Sequence, residues 1–127
     1  MKNNEVLSRS RDLLLKLHKS LVDFERETYV SFNGEVSPVQ FLTQLLENKD
    51  LAWLRRFSTL IVDIDEMFAQ RDGFNDETVE IHLAAIKSLI SLRTDDPEFR
   101  GKYQLALQGD PEAAGLHAEL RKVLDEA

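Results

Sequence analysis

Residues 60–68, LIVDIDEMF, decide between two folds. Read as a strand, three apolar residues run into an Asp-x-Asp pair that offers Asp63 as a nucleophile toward phosphorus and Asp65 as acid and base. Read as a helix, the same residues sort by angle. At 100° per residue, Leu54, Phe57, Ile61, Ile64 and Phe68 share one face, flanked by Trp53 and Leu60. Asp63 and Glu66 then fall on the far side, where solvated carboxylates belong, and Asp65 falls at the edge of the apolar face, beside Leu54, Ser58 and Ile61. The apolar arc reaches round to Val62 and Met67, and a face that wide predicts a central helix with more than one neighbour.

The flanking sequence favours the helix. A haloacid-dehalogenase-type phosphatase turns sharply after its second Asp, usually through Gly and then Thr, whereas Glu66 and Met67 stand here. Upstream LAWLRRFSTL and downstream MFAQ continue one helical period, and the next apolar segment, EIHLAAIKSLI, is helical too, so no partner strand is available. The later TDDPE segment imitates a second acidic motif, but Pro97 makes it a helix start.

Working outward, residues 4–31 repeat Leu7, Leu14, Leu17, Leu21, Phe24 and Phe32 on one stripe, which predicts a long first helix ending near Asn33 and Gly34. Ser37, Pro38 and Gln40 form a capping-box start for a second helix over 38–47. Asp50 is placed to cap a third over 51–70, closed by RDGFN. A fourth starts after Asn75 or Asp76 and runs to about Leu92. Asp96 with Pro97 and Asp110 with Pro111 open two more, about 97–107 and 111–125. No strand pattern or internal repeat stands out. The expected fold is one all-α domain over 1–127, a helical bundle with three long helices, the first, third and fourth, and shorter accessory ones.

A net charge of −7 argues against general affinity for nucleic acid or an anionic membrane, since both need a basic patch and no Lys/Arg run supplies one. Cysteine is absent, which removes disulfides, thiolate metal sites and cysteine nucleophiles. The first 20 residues lack the apolar core and cleavage site of a signal peptide, and nowhere do 18 apolar residues run together. A soluble, cytoplasmic protein is expected.

Some polar residues do not fit their helix faces. Glu25 sits in the middle of the first apolar stripe, with His18 seven residues before it and Tyr29 four after. A buried carboxylate must be paired, hydrogen-bonded or protonated, so His18, Glu25, Tyr29 and Asp65 are candidates for a polar pocket; the simpler and preferred reading is that the last turns of this helix emerge from the bundle, or that Glu25 meets Tyr29 or an Arg of the third helix. His18, His82 and His117 all lie on apolar stripes, yet none has a carboxylate three or four residues away, as the Glu-x-x-His pairs of di-metal bundles require. No metal or cofactor site is assigned. There is no G-x-S-x-G elbow or glycine-rich phosphate loop, hence no catalytic residue. Trp53, Arg55 and Arg56 in AWLRRF form an aromatic and cationic group of the kind enriched at interfaces, although Trp53 suits the core better than an interface.

Taken in order, LHKSLVDFERETY, SPVQFLTQLL, AWLRRFSTLIVDIDE and YQLALQGDPEAAGLHAELRKVL resemble an uncharacterised family of small bacterial all-helical proteins. The resemblance implies a bacterial cytoplasmic protein and carries no activity, cofactor or site. The functional expectation is a non-catalytic interaction or regulatory module, self-associating as a dimer or binding a protein partner. The alternative is a ligand- or metal-binding bundle with a polar pocket around Glu25, extending at its furthest to a hydrolase.

Overall fold

Helix α1 (Asn3–Asn33) buries Val6, Leu7, Ser10, Leu13, Leu14, Leu17, Ser20 and Leu21, a repeat of three and four residues that aims one stripe into the core. In the computed structural model, which describes residues 2–92 and 96–127, it is followed by α2 (Pro38–Glu47), a 3-10 turn (Lys49–Leu54), α3 (Arg55–Phe68), α4 (Asp76–Ile90), α5 (Pro97–Gly109) and α6 (Pro111–Leu124). The described residues contain no strand. LIVDIDEMF lies wholly within α3, so the chain is all-α and the strand reading of that segment falls.

The lengths do not divide into three long helices and accessories. α1 has 31 residues, and α3, α4, α5 and α6 have 14, 15, 13 and 14. Because α1 is more than twice as long as any neighbour, it packs against α3, α4, α5, α6 and the 3-10 turn, and it is the central helix in place of α3. The wide apolar arc of α3 is partly left in the open, with Val62 about half exposed.

The helix starts follow local chemistry. Ser37 and Gln40 form the expected capping box, their side chains and backbone N–H groups bonding reciprocally at 3.1 and 2.9 Å, with Pro38 behind them. Asp96 and Asp110 cap α5 and α6. Residues 94 and 95 of the TDDPE segment lie outside the described residues. Asp50 is not the cap expected for α3. The Asn48 side chain accepts from Asp50 N at 2.9 Å, so the chain coils earlier and more tightly. In a 3-10 turn residues three apart share a side, and Leu51 and Leu54 are both buried.

The core behind this turn is aromatic. Trp53, Phe57, Phe99 and Tyr103 gather with ring centroids 5.4 to 6.3 Å apart, several edge to face. At the α5–α6 corner the Ser20 hydroxyl donates to Asp110 at 2.6 Å. Gly109 there lies close to Phe24: a Cβ would stand 2.7 Å from the ring, which would have to shift to admit it.

After Leu21, α1 has no fully buried residue, and its last turns leave the core. Phe32, expected on the buried stripe, is 83% exposed because the other helices end short of it. Those last turns carry α2.

Candidate functional site

The four residues expected to line a polar pocket do not converge. Asp65 accepts from Arg11 through both oxygens, Nε to Oδ1 at 2.7 Å and Nη2 to Oδ2 at 2.8 Å. Arg11 lies fourteen residues before Glu25, roughly 21 Å of helix at 1.5 Å per residue. Asp65 therefore belongs to the opposite end of α1. Its fork-shaped pairing with Arg11 holds its carboxyl below the usual range, and both partners keep contact with solvent.

Glu25 is half-buried and no described residue donates a hydrogen bond to it. Burial raises its carboxyl above the ordinary value, the Lys102 ammonium pulls it down, and the Asp50 carboxylate adds to the rise. Lys102 is itself held elsewhere, donating to the Asp50 carbonyl at 2.8 Å and lying 3.5 Å from Glu98. Tyr29, four residues on, stacks at a tilt on Phe41 of α2. His18 lies 6.5 Å from Phe57, ring to ring, with its pKa lowered by burial. So Tyr29 anchors α2, His18 borders the core, and Glu25 faces a charged corner.

The interface group divides similarly. Trp53 offers no surface to a partner: it is buried against Phe57, Phe99 and Tyr103, and its indole N–H has no acceptor among the described residues. Arg56 pairs with Asp96 and covers the Phe99 ring at 4.6 Å, a cation–π contact that ties α3 to α5. Arg55 donates through Nη2 to the carbonyls of Leu45 and Leu46, the C-terminal end of α2. Among the described residues no group of three or more His, Asp and Glu is gathered as a metal would need. His82 donates from Nδ1 to Thr78 O at 2.8 Å, a bond within its own helix.

The feature that the helix patterns had not singled out is α2. It is seated by Phe41, which packs on Tyr29 and lies 5.8 Å from the Arg26 guanidinium, while Arg26 also donates to Val36 O. Leu45 is half-buried on the same side. Val39, Leu42 and Leu46, spaced by three and four, form a second stripe on another side and are 74%, 54% and 65% exposed. A helix apolar on both sides is normally covered on both. The charge pattern agrees. From Thr28 to Leu46 the only charged residue is Glu35, in a chain where 31% of residues are charged. That gap in the charges, together with the second stripe, was the available signal. Apolar faces with few charges are the composition of interface cores.

No helix among the described residues is long and apolar enough to cross a membrane. No protein-family model, curated protein or solved structure matches the chain.

Proposed function

We propose that the protein is a non-catalytic interaction module that associates with a second copy of itself through α2. The observation that carries the reading is the uncovered stripe Val39, Leu42 and Leu46 on a helix already seated by its other face. Two copies that each carry a net charge of −7 repel over most of their surfaces, so they approach best where charges are missing. Residues 28–46 are that place. The order 39, 42, 46 is also self-complementary: set antiparallel about a two-fold axis, Val39 of one copy faces Leu46 of the other, and Leu42 lies near the axis. The capping box and Pro38 hold α2 as a formed helix, so association orders little further chain.

Sedimentation velocity over a range of concentrations tests the reading. A species of twice the chain mass is expected for the wild type, and Leu42→Glu should give a monomer of unchanged helicity. Leu105→Glu, at an exposed leucine on α5, should leave the dimer intact. A wild type that stays monomeric at every concentration, or a dimer indifferent to Leu42→Glu, overturns it.

A further inference from the structure

Beside α2 the structure holds a cleft that shares only Leu46 with the dimer stripe. It lies between α1, the end of α2, the 3-10 turn and the first turns of α3, with a volume of about 310 Å³. Val22, Leu45, Leu46, Leu51 and Leu54 make its walls apolar, and His18, Arg55, Ser58 and Thr59 stand among them as hydrogen-bonding groups. This is the make-up of a small-molecule site: concave, mostly apolar, with a few placed polar groups, at the lower end of the usual size range.

Of these four, His18 and Arg55 differ in kind from the two hydroxyls and from each other. No described residue hydrogen-bonds to either ring nitrogen of His18, although the ring is half-buried. Burial favours its neutral form, which has one donor and one acceptor to offer. Arg55 is held in place by its Nη2 bonds to the carbonyls of Leu45 and Leu46, while its other N–H groups have no acceptor among the described residues. A fixed guanidinium with donors to spare is a planar fork that fits a carboxylate.

We propose that this cleft binds a small amphiphilic carboxylate, its apolar chain against Val22, Leu45, Leu51 and Leu54, its carboxylate on Arg55, and His18 as a neutral hydrogen-bonding neighbour. Charge selects this class. One cation in a strongly acidic protein matches a single negative charge and leaves the second charge of a phosphate monoester unmet. Size selects a short chain over a long lipid.

Octanoate below its micelle concentration is the probe, titrated into the full-length protein and followed by amide NMR shifts and calorimetry. Saturable one-to-one binding is expected, with shifts grouped at residues 18, 22 and 51–55. Arg55→Gln should weaken octanoate at least tenfold and leave 1-octanol little changed, whereas Arg55→Lys should restore part of the loss. Val22→Phe, which fills the cleft, should abolish binding of both. Should Arg55→Gln disturb the seating of α2, the shift map and Val22→Phe still decide. Scattered shifts, binding that does not saturate, or an octanoate affinity indifferent to both changes overturns the proposal. Octanoate should bind Leu42→Glu as it binds the wild type, so failure of the dimer reading and failure of this one are told apart.

Discussion

The phenol oxygen of Tyr103 lies 2.6 Å from Nδ1 of His117, a hydrogen bond that joins α5 to α6 inside the protein. Tyr103 is fully buried, and burial raises its pKa far above the ordinary value, so the hydroxyl keeps its proton and donates to the ring. Burial, aided by the nearby Arg121 guanidinium, lowers the His117 pKa. The joint is neutral on both sides.

Its stability should depend on pH in a definite direction. Above the ordinary histidine value of 6.5, His117 is neutral folded and unfolded, and its full contribution is present. As pH falls below 6.5 the unfolded chain takes up a proton that the folded one resists, so stability drops until the folded group also protonates. His18, lowered by burial, acts in the same sense. Urea denaturation at pH 7, 6 and 5 should show this decline, and His117→Gln should make it shallower. Tyr103→Phe should cost about 1–2 kcal/mol at pH 7, because a part-buried ring nitrogen loses its donor. An unchanged slope in His117→Gln would show that another group controls the decline.

Asp63 and Asp65, two residues apart, should respond differently to the same change. Asp63 is exposed with no partner among the described residues, and Asp63→Asn should shift stability by about 0.5 kcal/mol or less. Asp65→Asn breaks the two-pronged pair with Arg11 and should cost up to about 1 kcal/mol, the upper range for a solvent-exposed pair, with a smaller loss in high salt. The lowered Asp65 pKa means that its contribution is present above the ordinary 3.8 and disappears as pH falls through the folded value. Equal urea midpoints for the two variants would contradict the pairing.

Glu25→Gln should leave the protein as stable as the wild type at neutral pH, or more so. The folded carboxyl titrates above its ordinary 4.5, so the wild type is least burdened below that value and loses stability as pH rises through the folded one. Gln keeps the shape without the charge, and Lys102 retains Asp50 and Glu98. Thermal melts of the two proteins should therefore agree near pH 4 and separate in favour of the variant by pH 7, in EDTA as without it. Destabilisation of the variant by several kcal/mol, with EDTA sensitivity in the wild type alone, would make Glu25 the anchor of a charged or metal site, since breaking such a buried pair costs on the order of 3–5 kcal/mol.

By itself the sequence determined the helices, because their signals are local. Ser37, Pro38, Asp96 and Asp110 act on the next three or four residues, and the 3.6-residue period of α3 placed Asp63 and Glu66 outside whatever packs against the other face. The same period could not place the polar residues of α1, because a stripe shows direction but not how far the covering helices reach. Leu21 and Phe32 lie on one line of the helix. One is buried and the other open, because the neighbouring helices end between them. Likewise Asp65 took its partner from Arg11, 54 residues away, a pairing that no local pattern encodes. Tertiary structure alone decided that α1 and not α3 is central and that only one side of α2 is covered. Each depends on where distant segments stop, and chain length and packing settle that after the helices have formed.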